Sequence, residues 1–322
     1  MNGHGETMTQ RVCPPRRLRP ARRNSLIAVL AGLLLPVGVG RLTRAADDAA
    51  TDQAIGVIGA PDEFRVSSGD YSFTVQKFPA WTFRSVSYRG RQVLIPNGWM
   101  QPVLNVQSNG KSEFVGTGHG GEVVLSLTLS TGEGADLLRP HRKDYHAADG
   151  ATMRLTKRSM LGPLLHESVL EVSAEGFAQR YGFEVRADTA QVNWLYAFML
   201  IFPNEADRYQ VILADGTTVA GCLPGAAKIE YSLHRDRISQ LSVFNAAMGL
   251  VTTFVTASPY PTRDQRGGFF ADRPRDNKFY LQVIPPRRLG EKVEYRMKMR
   301  CAESTIGDFP ATADALAKMI TN

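Results

Sequence analysis

The sequence predicts an all-β protein, a large antiparallel β-sandwich with a short C-terminal helix. For more than 200 residues, short runs rich in Val, Ile, Phe, Tyr and Thr alternate with Gly, Asn, Asp and Pro, the pattern of a sandwich or barrel. Hairpin turn chemistry recurs at Ser68-Gly69-Asp70, Arg89-Gly90, Ala174-Glu175-Gly176 and Asp215-Gly216. Helical periodicity is nearly absent until the C-terminal end.

Residues 1–45 are expected to form a cleavable export signal. Arg11, Arg16, Arg17, Arg19, Arg22 and Arg23 precede an apolar run over 26–40, and Thr43, Ala45 and Ala46 offer small residues for cleavage shortly before Asp47. The run covers 15 positions, broken by Gly32 and Pro36, whereas a spanning helix needs about 20 apolar residues, so no membrane anchor is expected after cleavage. Arg22-Arg23 ahead of Asn24-Ser25-Leu26 resembles a twin-arginine signal, with the general secretory route as the alternative. Either route leads to the periplasm or the exterior.

The formal charge of +7 belongs to this segment. Of 38 basic and 31 acidic residues, eight arginines and one glutamate fall within 1–45, which leaves 30 of each sign. A nucleic-acid partner is therefore not expected. Cys222 and Cys301 remain after cleavage, and in an oxidising compartment they either bridge or stay as separate buried thiols. Neither has a second Cys or a His at metal-site spacing, so no metal and no cofactor are expected.

Residues 46–61, rich in Ala, Asp, Thr and Gly, read as a flexible leader, 62–302 as one sandwich domain, and 303–322 as a tail with a short helix. Strands are expected over 71–77, 81–88, 92–95, 122–129, 152–157, 164–173, 178–187, 194–202, 228–233, 240–244, 251–257, 279–284 and 292–301. The continuously apolar 194–202 should be covered on both faces, with Trp194 in the core. The basic, glycine-bearing stretch 263–278 reads as a long connection. Over 310–320, Leu316, Met319 and Ile320 share one side of a helix that should dock on the sandwich or fray.

Three stretches together resemble the galactose mutarotase-like β-supersandwich: 83–94, with its strand turning at Gly90; the long consecutive strands of 153–202; and 279–300, with Pro285-Pro286 and Leu289-Gly290-Glu291 before the last strand. The resemblance implies that fold and a carbohydrate ligand, with lyase-like or epimerase-like processing as an extension; the alternative is a non-catalytic periplasmic or extracellular binding or interaction module. The mutarotase Asn-His pair with its following aromatic stretch, and the late Glu in a Gln-rich context, are not found. Serine-hydrolase, nucleotide and zinc-protease motifs are also missing.

The densest polar cluster is His141-Arg142-Lys143-Asp144-Tyr145-His146. Imidazoles exchange protons near neutrality, a phenol beside a cation can act as acid or base, and a guanidinium grips a carboxylate in two places. His141, Tyr145 and His146 are thus catalytic candidates, suited to β-elimination on a uronic acid, with Arg142 as a substrate ligand. The competing view is a solvated loop of mixed charge. His119, in Gly116-Thr117-Gly118-His119-Gly120-Gly121, is either a fourth catalytic candidate or part of a turn that needs its glycines. Trp99, in an expected loop, is a candidate sugar-stacking ring. Glu184 and Arg186 sit two apart on one strand face, as sugar ligands or as a surface ion pair. His166-Glu167 and His234-Arg235-Asp236 read as surface pairs.

Overall fold

The computed structural model describes residues 60–321 except 79, 96–98, 101, 109, 117–118, 133, 224–231, 235–237, 258–265 and 274–275. The expected export signal, most of the leader and part of the strand expected over 228–233 lie outside the described residues. In chain order the strands are β1 (Glu63–Ser68), β2 (Tyr71–Gln76), β3 (Thr82–Tyr88), β4 (Arg91–Leu94), β5 (Trp99–Met100), β6 (Val103–Ser108) and β7 (Lys111–Gly116). Next come β8 (Glu122–Thr131), β9 (Asp144–His146), β10 (Met153–Leu161), β11 (Leu164–Ser173), β12 (Gly176–Val185), β13 (Val192–Pro203) and β14 (Ala206–Leu213). The remainder are β15 (Thr218–Cys222), β16 (Ser232–His234), β17 (Ile238–Asn245), β18 (Leu250–Thr256), β19 (Arg266–Arg273), β20 (Asp276–Val283) and β21 (Lys292–Glu303), before helix α1 (Phe309–Thr321).

Two sheets share these strands. The 12-stranded sheet runs β16-β19-β20-β13-β5-β3-β2-β1-β9, with β4 on β3 and the β6–β7 hairpin on β13. The 9-stranded sheet runs β15-β14-β17-β18-β21-β12-β11-β10-β8. All pairings are antiparallel apart from the parallel β1–β9 contact. One continuous apolar core lies between the sheets, drawing Phe64, Phe73 and Phe83 from the first and Leu155, Phe177 and Tyr295 from the second. The all-β sandwich reading is thus confirmed.

Local chemistry explains the hairpins. Arg89 and Gly90 both take positive φ, +50° and +72°, as a two-residue turn joining twisted strands requires. Gly176 opens β12 at φ +132°, where a Cβ would stand 2.2 Å from the carbonyl oxygen of Met299. No side chain fits there without moving β21. Tyr71 of β2 fastens the sheets together: its hydroxyl accepts from the Cys301 N–H of β21 at 2.9 Å.

Several expectations need correction. Within the long connection expected over 263–278, β19 and the start of β20 pair as a hairpin, and Trp99 belongs to a short strand, paired in register with Leu200 and Phe83. In β13 the second half is covered on both faces, but Trp194 and Tyr196 are only partly buried, because a bulge between Tyr196 and Phe198 changes the alternation. Helix α1 docks through Phe309, Ala313, Leu316 and Ile320 against β17, β18 and β21, with Phe309 stacked on Phe244 at 5.7 Å; Met319 faces solvent instead. His166 lies in the core, not on the surface. Cys301 is a free buried thiol, so the Cys222–Cys301 bridge is not formed. Among the described residues, no helix is long and apolar enough to cross a membrane.

Replacing Gly176 with Ala should destabilise the protein by more than about 2 kcal/mol, from positive-φ strain together with displacement of β21. Urea denaturation of the two proteins side by side measures it.

Candidate ligand-binding face

On the side of the 12-stranded sheet away from the core, register brings together residues far apart in sequence. Trp194 of β13 pairs with Asn105 of β6, which pairs with Phe114 of β7, so these three form one row. Tyr196 is two positions along β13, and Tyr280 of β20 lies opposite Met199. The ring centroids are 5.1 Å apart for Tyr196 and Tyr280, 6.3 Å for Phe114 and Tyr196, and 6.5 Å for Trp194 and Tyr196. All four rings are partly exposed or exposed. A polar border adjoins them: the buried Asn105 exchanges hydrogen bonds with Ser112 and accepts from the Asn193 amide at 2.8 Å, which leaves Ser112 and Asn193 as the exposed polar groups.

His119 closes this face. The glycine-rich segment turns back on itself through a Gly116–Gly120 bridge, and Gly120 and Gly121 take φ +81° and +74°. That satisfies the turn explanation for the glycines while still presenting His119, whose ring lies 5.2 Å from that of Phe114. Partial burial, and then the positive charge of Lys278 on β20, hold the His119 pKa below its ordinary value. Both effects favour the uncharged imidazole, the form able to accept a proton.

Beneath the exit of this loop lies a buried polar centre that the sequence reading missed. Glu122, the first residue of β8, receives the Lys157 ammonium at 2.7 Å, and the two side chains are 2% and 1% exposed. Ser159 donates to the same carboxylate oxygen at 2.7 Å, and Lys157 Nζ also donates to the Ala80 carbonyl at 2.9 Å. Burial draws the Lys157 pKa down while Glu122 opposes that shift. Beside them His166 donates from Nδ1 to the Gly182 carbonyl and stacks on Phe183 at 4.8 Å. Its Nε2 has no hydrogen-bond partner among the described residues.

His141, Arg142, Tyr145, His146, Glu184 and Arg186 are not brought to this face. β9 is at the far edge of the 12-stranded sheet, five strand intervals from β13 and therefore about 24 Å away. Tyr145 is 1% exposed; its hydroxyl accepts from the Arg139 N–H at 3.0 Å and its ring lies 5.7 Å from that of Phe64. Arg142 covers the same ring, 4.7 Å from its centroid. His146 is hydrogen-bonded to Ser67 at 2.6 Å, while His141 is exposed in a turn. Glu184 and Arg186 pair with each other at 3.0 Å on the 9-stranded sheet. Trp99 lies on β5, in register with Leu200 of β13. A groove of about 680 Å³ lies elsewhere, between Arg91, Glu303 and the start of α1, and Arg91 and Glu303 are ion-paired there. Among the described residues, no group of three or more His, Cys, Asp or Glu could hold a metal ion.

Fold and face together define a two-sheet antiparallel β-sandwich with an aromatic surface on its larger sheet. No protein-family model matches the sequence, and no curated protein does. Among solved structures the chain is similar to a putative aldose 1-epimerase from Escherichia coli, at 11% identity and TM-score 0.41, covering 75% of this chain and 99% of that one. It is also similar to a galactose mutarotase-like protein from Clostridium acetobutylicum, at 9% identity and TM-score 0.47, covering 74% and 94%. A GH36 α-galactosidase from Geobacillus stearothermophilus, solved with raffinose, matches at 10% identity and TM-score 0.49; the coverage is 78% of this chain and 42% of that one.

Burial pushes the His166 pKa down to about 4, against 6.5 ordinarily. The unfolded chain therefore binds a proton between those values that the folded chain refuses, and stability falls as pH drops through that window. The loss should total about 3 kcal/mol, using 1.36 kcal/mol per pKa unit. Stability measured from pH 7 to pH 4 should fall less in a His166→Phe variant.

Proposed function

We propose that this protein is exported and binds a carbohydrate on the outer face of its 12-stranded sheet. The observation that carries the proposal is the convergence of Trp194, Tyr196, Tyr280 and Phe114 beside the Asn105, Ser112 and Asn193 network. Aromatic rings offer a surface for the C–H faces of sugars, and a few placed amides and hydroxyls fix orientation. His119 and Lys278 border the same surface, so an uncharged proton acceptor and a cation both face a bound sugar. Binding is favoured over turnover by the hexapeptide, since the Tyr145 hydroxyl is committed to the Arg139 backbone and the Arg142 side chain to the Tyr145 ring. The arginine-rich start followed by a short apolar run supports delivery to the periplasm or the exterior.

A panel of neutral and uronate-containing polysaccharides, tested by affinity electrophoresis, addresses the ligand. At least one should retard the wild-type protein. Trp194→Ala and Tyr196→Ala should each weaken that retention by about 1 to 3 kcal/mol, and His146→Ala should leave it unchanged. Retention by none of the panel would refute carbohydrate binding. For delivery, the cell fractionation of an epitope-tagged full chain should show a shortened form outside the cytoplasm beginning near Asp47. Changing Arg22 and Arg23 to Lys should trap the precursor inside if the twin-arginine route is used.

A further inference from the structure

We infer that Glu122 and Lys157 are positioning residues for the ligand-binding face: their buried ion pair holds the glycine loop in the place that sets His119 against Phe114. The inference rests on the carbohydrate-binding reading for its functional meaning, although its geometry stands independently.

The loop has little of its own to fix its place. Gly116, Gly120 and Gly121 lack side chains, and its internal bonds, Gly116 N–H to the Gly120 carbonyl and His119 N–H to the Gly116 carbonyl, close it upon itself. Those bonds shape the described residues of the loop around Gly116, which is itself the end of β7 and pairs with Val103 of β6. Attachment comes at its ends. At one end Gly116 is pressed so closely to the Pro102 carbonyl that a Cβ would lie 2.5 Å from it. At the other end, directly after Gly121, the Glu122 carboxylate enters the core and meets Lys157 and Ser159 of β10.

Lys157 extends the anchor to the opposite sheet through the Ala80 carbonyl, in the connection between β2 and β3. The loop exit is therefore tied to both layers of the sandwich by charge-assisted hydrogen bonds with almost no exposure to water. Few arrangements resist small displacements better, because any movement of Glu122 separates opposite charges in a low-dielectric interior. His119 lies three residues before that anchor. Its contact with Phe114, and its exposure to the charge of Lys278, depend on where the anchor holds the loop.

The test uses the signal-free chain, residues 47–322, and a Glu122→Leu/Lys157→Met double variant, which removes both charges at similar volume so that neither is left buried alone. His119 is followed by NMR as a function of pH, its resonance assigned with a His119→Asn variant. In the wild type it should titrate below the ordinary 6.5. In the double variant it should move up to that value, and affinity for whichever polysaccharide the panel identifies should drop by roughly tenfold as preorganisation is lost. Leu316→Ala, in helix α1 away from the loop, supplies a destabilised control whose His119 titration should not move. A folded double variant with unchanged His119 titration would overturn the inference. If the double variant fails to fold, Glu122→Gln, which keeps the hydrogen bonds but not the charge, is read by the same titration with the same expected shift in lesser degree, and no shift counts against the inference. Should the wild type bind no polysaccharide, the proposed function fails, while the titration still decides whether the ion pair positions the loop.

Discussion

Lys157 is the point on which the two layers of the sandwich depend. An ammonium placed in an apolar core loses its hydration, and it is tolerated there only because a carboxylate and a carbonyl replace that water. Those two acceptors belong to different sheets, so satisfying one charge obliges the sheets to meet in a defined relation. The Tyr71 hydroxyl makes a neutral link of the same kind to the Cys301 backbone. Apolar packing alone would allow the layers to slide by a fraction of a side chain; buried polar links do not, because a displaced partner leaves an unpaired group with no water nearby.

The same constraint organises the functional reading. A binding surface assembled from β13, β20, β6 and β7, with a loop folded over it, gains nothing from those residues individually. It exists only if strand register is held, and register is held by the core beneath. Phe198, directly after the bulge that turns Tyr196 outward, packs on Tyr181 of the opposite sheet at 4.9 Å, and Tyr181 in turn contacts His166. The surface and the buried polar centre are therefore two sides of one piece of packing.

Much of the fold was legible in the sequence because its signals are local. Runs rich in apolar and β-branched residues, alternating with polar ones in β11 and β21 and continuous in β13, placed β2, β3, β11, β13 and β21 to within a few positions, and turn chemistry located four hairpin turns. Asn109-Gly110 is as strong a hairpin signal as any of these, yet the strands on either side of it, β6 and β7, escaped because Asn105, Ser112 and Glu113 dilute their apolar pattern. The aromatic face was not legible, since Phe114, Tyr196 and Tyr280 meet only through the order of strands in the sheet. Lys157 was readable in principle. In Met153-Arg154-Leu155-Thr156-Lys157-Arg158-Ser159, period-two alternation puts Lys157 and Ser159 on the face of Met153 and Leu155, the side that enters the core. The hexapeptide stood out by its density of chemical groups, and that density does not tell whether they are engaged in holding a strand edge together, as Tyr145, Arg142 and His146 are.

The thiol of Cys301 behaves differently in a folded and in an unfolded chain. In the finished structure it is sealed in the core, and burial pushes its pKa up to about 12, so it exists as the unreactive protonated form. That protection comes with the pairing of β21, the last strand in sequence among the described residues. A chain entering an oxidising compartment unfolded would offer an ordinary thiol to any disulfide it met until that strand was in place. A chain already folded would hold the same thiol out of reach, and under the proposed export its fold would do the work of a redox chaperone.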